Sequence, residues 1–409
     1  MFRTPSPARP VPLAFGGFIA LAAAMGIGRF VYTPILPAMA AGIPLPPTEA
    51  GLIASANFLG YLTGALTASA GLFARHPRWW FLTGMAISAL TSGAMGLTPA
   101  FGVLAALRFV SGLASAFVLV FASTVVLERL QAAGRPGLSA LHFGGVGAGI
   151  AFSAMLIASL EAGSASWPQL WFASALATLV FLAVALVLVP AEPAADRPAM
   201  DGPAAQTHPD TAQKPPAAQA TPPLWTAPLV RLVLAYGLFG FGYVITATFV
   251  SVIAAEDPAM APVQHLVWLV VGLAAAPSIY LWNAVSSRLG SASAFALACL
   301  AEAAGVTLTV AGFGPFWLMF GAALLGGTFM GITALGLTQA RSLSPAHASR
   351  LLALMTASFG LGQMIGPFVA GTLREATGSY AAASLIAAAA LVVASALVFR
   401  SDQAWANSQ

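Results

Sequence analysis

Charge is what this chain has least of. Only 7% of its 409 residues are Asp, Glu, Lys or Arg, where a soluble domain carries about 25%. There is one lysine, Lys214, and one cysteine, Cys299. A lone cysteine excludes an intrachain disulfide and any cysteine-rich metal site. Paired carboxylates, clusters of metal-ligating side chains and a nucleophile with a neighbouring base are all missing, so nothing points to catalysis. No ATP-binding motif is present either, and no cofactor or metal is expected. The net charge of +4 is spread over short loops. It makes no exposed basic surface of the kind nucleic acid needs.

What fills the sequence is apolar: 59% of the residues are hydrophobic, in runs of about 20 that are long enough to cross a bilayer. Twelve such spans are expected, at 12–40, 49–74, 79–98, 101–127, 137–161, 167–189, 228–254, 262–287, 292–312, 315–339, 348–373 and 379–399. The first 30 residues imitate a signal peptide, with Arg3 and Arg9 ahead of an apolar core. The run continues well past any cleavage point, so it reads as an uncleaved first span. Alternating the spans puts all but Arg29, Arg108 and Arg374 of the 16 basic residues on one side. That side is therefore cytoplasmic, and both termini lie there. The opposite loops carry Glu49, Glu161, Glu256, Asp257 and Glu375. A long hydrophilic stretch, Ala191 to Thr221, has no apolar periodicity and reads as a disordered cytoplasmic linker. The expected organisation is a tail (1–11), a six-span bundle (12–190), the linker (191–224), a second six-span bundle (225–400) and a tail (401–409).

The halves carry short internal matches. Gly26-Ile27-Gly28-Arg29 in span 1 corresponds to Gly240-Phe241-Gly242-Tyr243 in span 7, and the same offset pairs Gly112 with Gly326. Phe143-Gly144 matches Phe359-Gly360 with a slightly larger shift. Parallel repeats of this kind place a substrate site between the halves near mid-membrane. Small residues in span 5 (Gly145, Gly149) and span 11 (Gly362, Gly366, then Pro367) allow close packing where the halves rock against each other. Gly145, Gly147 and Gly149 imitate a dinucleotide fingerprint, but no strand precedes them and they lie inside a span.

The unusual stretch is Met25 to Pro37, MGIGRFVYTPILP. It puts Arg29 into a span beside Gly26 and Gly28, with Pro34 and Pro37 breaking the backbone ladder. A charge in the hydrocarbon core costs at least ~2.5–3.5 kcal/mol, so such a residue faces a protein interior or an aqueous cavity. Arg29 and Arg108 fall at similar depth with no acid in the neighbouring spans. A guanidinium fork suits a carboxylate or phosphate, which favours an anionic substrate. Two roles stand open for Arg108: a ligand for that anion, or a donor to span 1 carbonyls freed near Pro34 or a neighbouring turn. Tyr32, Asn57, Tyr61, Tyr243, Thr246 and Gln363 are the polar candidates to complete a pocket, with Tyr236 and Trp282 beside them. Each is equally suited to a helix-to-helix hydrogen bond. His142 is a candidate carrier of a coupling proton, although a lone histidine on a small-residue face is more often a structural donor. Glu302 is the other; burial favours its neutral form.

These residues resemble a known family. Twelve spans, a central linker and short basic loops are similar to the major facilitator superfamily. MGIGRFVYTPILPAM, ALHFGGVGAGIA (Ala140–Ala151) and GFGYVITATFV (Gly240–Val250) resemble its YbfB/YjiJ-like branch of bacterial inner-membrane transporters. The resemblance implies an all-α integral membrane protein: two pseudo-symmetric six-helix bundles, a central cavity and alternating access. Spans 1, 2, 4, 5, 7, 8, 10 and 11 would line or gate the cavity. Leu104, Arg108 and Gly112 match the superfamily's span 4 motif. The loops after spans 2 and 8 lack the acid that relatives carry, and Ile150 stands where drug antiporters have proline. The reading is a secondary transporter that works as a monomer in the lipid bilayer on a small-molecule substrate, preferably a small organic anion, with proton co-transport in view. The alternative is proton-coupled efflux of drugs or amphipathic metabolites.

Overall fold

The computed structural model of the protein describes residues 10–70, 73, 75–191, 225–344 and 348–406. The linker expected at 191–224 lies, beyond Ala191 and before Trp225, outside the described residues. Regular structure among the described residues is entirely helical. Span 1 is built in three pieces: α1 (Pro10–Leu21), a π-helical segment (Ala22–Arg29) and α2 (Tyr32–Gly42). There follow α3 (Pro47–Ser69), α4 (Pro77–Met95), α5 (Phe101–Ala132), α6 (Ser139–Ala162) and α7 (Trp167–Leu188). The second half comprises α8 (Ala227–Glu256), α9 (Val267–Ala275), α10 (Ser278–Leu289), α11 (Ser291–Val310), α12 (Pro315–Leu343), α13 (Ala348–Thr377) and α14 (Ala381–Ala406). Proline occupies the first turn of α3, α4, α7, α8 and α12. There its missing N–H is no loss and its fixed φ starts the helix. Ser166 and Gln169 form a capping box on α7.

Among the described residues, nine continuous helical stretches are long and apolar enough to span a membrane, and α9 with α10 makes a tenth span bent by 49°. The continuous span expected at 262–287 is thus corrected: it starts at Val267 and bends at Ala276-Pro277, where proline removes a ladder donor. α3 and α4, with 23 and 19 residues, have the length but more polar faces, and complete the twelve. At the other end of the chain, α14 runs to Ala406, past the expected limit of its bundle at residue 400.

The break in span 1 also falls earlier than the prolines suggested. Pro34 sits in the first turn of α2, where no donor is lost, and α2 continues through Pro37. The irregular turns lie at Ala22–Arg29, where Phe30 N–H reaches back to Met25 C=O at 3.2 Å, a five-residue step. Gly26 sits directly on the backbone of Gly149, and Gly28 on the Ser88 hydroxyl. The widened turn is held where α6 and α4 press directly on span 1.

The internal repeat is visible in the packing. Gly112 of α5 lies against the Asn57 carbonyl of α3, and its counterpart Gly326 of α12 lies against the Val271 carbonyl of α9. Between the halves, α3 packs on α13, α6 on α9 and α2 on α8. These are symmetric pairings of spans 2 with 11, 5 with 8 and 1 with 7. The offset that matches Arg29 to Tyr243 also matches Thr33 to Ala247, and the Thr33 hydroxyl donates to the Ala247 carbonyl at 2.8 Å. Equivalent residues in contact mark a pseudo-two-fold axis between α2 and α8.

The two halves are tightly sealed at the end carrying Glu49, Glu161, Glu256 and Glu375. Gly51 and Gly371 meet the carbonyls of Pro367 and Pro47 across the interface. Thr48 N–H donates to Glu375 Oε1 at 2.9 Å, and His265 pairs with Glu161 at 3.0 Å. Gly147 and Gly272 close the α6–α9 seam against Ala276 and Ala151. This revises the expected role of the small residues. Gly145 and Gly149 pack on Phe18 and Ala22 of span 1, and Gly362 and Gly366 pack on α8, all within their own halves. Residues four apart share one helix face, and that face looks inward. Gly147, two positions along, points to the other half.

A candidate anion site between the halves

Arg29 leaves the π segment and crosses to the second half. It is 3% exposed. One terminal nitrogen donates to Gln363 Oε1 of α13 at 2.9 Å. The Gln363 amide nitrogen in turn donates to the Tyr243 hydroxyl of α8. The guanidinium carbon stands 3.9 Å from the ring centre of Tyr61, 4.8 Å from Phe58 and 5.4 Å from Phe30. Such cation–π contacts offset part of the desolvation of a buried charge. They do not supply hydrogen-bond acceptors, and Arg29 Nε has none. No carboxylate pairs with Arg29 or Arg108 among the described residues. A guanidinium with an unpartnered Nε is therefore held between the halves.

Arg108 is used differently. Its two terminal nitrogens donate to the carbonyls of Gly28 (2.9 Å) and Arg29 (2.7 Å). Ser111 adds a third bond, to the Gly28 carbonyl at 3.0 Å. These are the acceptors the irregular turn of span 1 leaves behind, so of the two roles open to Arg108 the geometry is that of the helix tie. Tyr32 stacks under its guanidinium at 5.2 Å and donates to Ala50 C=O at 3.0 Å; Asn57 donates to the Arg108 carbonyl at 2.9 Å.

The sequence candidates thus divide. Arg29, Tyr61, Gln363 and Tyr243 meet at one point. Tyr32, Asn57 and Arg108 form a bracket behind it. Thr246 lies one turn along α8 from Tyr243, buried and with a free hydroxyl. Tyr236 and Trp282 tie their own half together through the Thr333 and Gly327 carbonyls. His142 is buried inside the first half, its Nε2 3.0 Å from the Ser123 hydroxyl and its other nitrogen against Gly17, away from Arg29. Glu302 is fully buried in α11 near Tyr243 and Cys299. Its carboxyl faces the Thr328 hydroxyl, whose proton is already given to Leu324 C=O at 2.7 Å. Sequence reasoning missed Phe30, Phe58 and Ser111. Phe58 and Tyr61 lie three apart on α3, a spacing that marks one helix face but not what it faces.

Residues 21–399 match the family described as "Uncharacterised MFS-type transporter YbfB". The chain belongs to this family. YbfB-type transporters are major facilitator proteins, multi-pass in the membrane, and the twelve-span, two-bundle fold here is theirs. The chain is also similar to a curated relative, the uncharacterised MFS-type transporter YceJ of Bacillus subtilis (strain 168), at 24% identity over 389 residues, covering 90% of each chain. Among solved structures it is similar to the nucleoside transporter NupG, with a TM-score of 0.72 at 17% identity, covering 96% of this chain and 98% of that one. The D323A mutant of NupG gives 0.71 at 16% identity, covering 95% and 99%. At such identities the likeness concerns the fold.

Proposed function

We propose that this YbfB-family protein is a secondary transporter of a small organic anion, working by alternating access as a monomer in a bacterial inner membrane. The observation that carries the reading is Arg29: a buried guanidinium between the two halves, with a free Nε and no carboxylate partner among the described residues. A carboxylate arriving there gains charged hydrogen bonds worth roughly 1.5–3 kcal/mol net. The clustering of Lys and Arg in the loops at one end supports a cytoplasmic location for that end and for both termini. The contacts at the acidic end then make the described arrangement closed to the outside. With the basic end cytoplasmic, Phe359 stands one turn to the cytoplasmic side of Gln363 on α13, and it and Tyr61 are partly exposed in the middle of their helices, which supports an approach from that side.

The test is a thermal-shift screen of purified protein against carboxylates, amino acids, sugars and drugs, since binding to the native state raises its stability. Arg29→Ala should weaken the stabilising carboxylate about 10- to 100-fold, one tenfold per 1.4 kcal/mol. Arg29→Lys keeps the charge without the fork and should recover only part. Unchanged binding in Arg29→Ala refutes the anion site. Proton-coupled efflux is the second reading, and the buried carboxyl of Glu302 favours it. Under that reading Glu302→Gln abolishes proton-driven transport while leaving ligand binding measurable.

A further inference from the structure

The rings around Arg29 carry information about the ligand beyond its charge. Tyr61, Phe58 and Phe30 cover the guanidinium from the first half at 3.9, 4.8 and 5.4 Å. Beyond Gln363, the ring of Tyr243 lies nearly parallel to that of Phe359, with 5° between planes and centres 5.8 Å apart. Ring sets from opposite halves thus flank the chain of contacts from Arg29 through Gln363 to Tyr243. Tyr61 and Phe359 retain exposure although each sits in mid-helix. The rings about the cation are thus not fully enclosed. If these rings served only to shield the cation, a fully closed cage would do so better.

We infer that the ligand is a planar aromatic carboxylate, its carboxylate on Arg29 and its ring stacked on Tyr61 and the neighbouring rings. The inference rests on the anion reading and sharpens it. A carboxylate on the guanidinium displaces Gln363 Oε1, and the second N–H of the Gln363 amide, beside the one given to Tyr243, is a donor for the other carboxylate oxygen. The body of the ligand is then left among ring faces, where a flat π-system gains contact that a puckered aliphatic ring of similar size does not.

Benzoate and cyclohexanecarboxylate make the discriminating pair, because they share the carboxylate and differ in flatness and π-character. Binding of each to the purified full-length protein would be measured by titration calorimetry, with hexanoate and uridine alongside. Benzoate should bind roughly 3- to 10-fold more tightly than cyclohexanecarboxylate. Tyr61→Leu, which keeps bulk without a π-face, should weaken benzoate more than cyclohexanecarboxylate and so remove most of that ratio. Equal binding of benzoate and cyclohexanecarboxylate, both lost in Arg29→Ala, overturns the aromatic inference and leaves the anion site standing. Binding of uridine but of no carboxylate overturns both. No benzoate binding at all, or a benzoate preference untouched by Tyr61→Leu, also refutes the stacking role. The wild-type ratio decides the matter even if Tyr61→Leu fails to fold.

Discussion

Two arginines at similar depth in the membrane illustrate how residue type under-determines role. Arg108 spends its fork on the Gly28 and Arg29 carbonyls; Arg29 points its fork across the interface with one acceptor among its neighbours. Their variants should therefore behave in opposite ways. Arg108→Ala removes the donors that serve the Gly28 and Arg29 carbonyls of a buried, irregular turn and should destabilise the protein by about 3 kcal/mol, the scale of charge-assisted hydrogen bonds left unmade. Thermal unfolding in detergent would register this as a lowered midpoint, with or without ligand. Arg29→Ala removes an expensive buried charge and should unfold at or above the wild-type temperature while losing the carboxylate-induced shift. If Arg29→Ala fails to fold and Arg108→Ala is stable, the assignments are reversed. The arginines and their depth were legible from the sequence. Which one faced a backbone was not, because a side chain's partner depends on how span 1 is rotated against α5.

At the scale of helices, the seal at the acidic end depends on glycines that allow backbone to touch backbone. A Cβ at Gly371 has no room against the Pro47 carbonyl, and Gly51 is similarly placed against Pro367. Contacts to backbone cannot be relieved by a rotamer change, so the helices themselves must part. Gly371→Leu should therefore favour the arrangement in which this end is open. Ser251 lines a cleft of about 200 Å³ between the halves at that end, together with Pro34, Ile157 and His265, and serves as a reporter. In a Cys299→Ala background, Ser251→Cys should react slowly with a membrane-impermeant thiol reagent. Adding Gly371→Leu should raise that rate several-fold; an unchanged rate means the seal lies elsewhere. The sequence singled out Gly145, Gly149, Gly362 and Gly366, which turned out to pack within their own halves. The spacing of small residues tells that one helix face is smooth. It is silent on which neighbour that face meets.

For the whole molecule, the governing features are the pseudo-two-fold relation of the halves and the asymmetry of charge between the two ends. The Thr33–Ala247 contact at 2.8 Å and the Arg29–Gln363 bond at 2.9 Å lie near the axis, where rocking moves side chains least. The peripheral clasp of Thr48 on Glu375 lies where rocking moves them most. Pairing Thr48→Cys with Glu375→Cys through a short bifunctional thiol reagent should stop transport completely while leaving ligand binding from the cytoplasmic side measurable. Transport that survives full cross-linking would contradict rocking about this interface. The orientation is checked separately: a protease site inserted next to Gln206 should be cut only by protease admitted to the cytoplasm, and cleavage on intact cells would invert the topology.

The sequence by itself determined that the chain crosses a membrane twelve times in two related halves, because hydrophobic length and the distribution of Lys and Arg act segment by segment and need no partner. It also marked Arg29 as exceptional, since a charge in a span is costly wherever its neighbours lie. The tertiary structure decided what could only follow from helices meeting. Span 1 loosens at Ala22–Arg29, where Gly26 sits on Gly149, and the two prolines downstream leave α2 intact. Arg108 became a tie within its half, and Arg29 reached across to Gln363. Phe58 and Tyr61, ordinary apolar-face residues of α3, became the lining of the charge. Each outcome depends on the rotation and approach of helices distant in sequence, set by close packing of surfaces that no local pattern records.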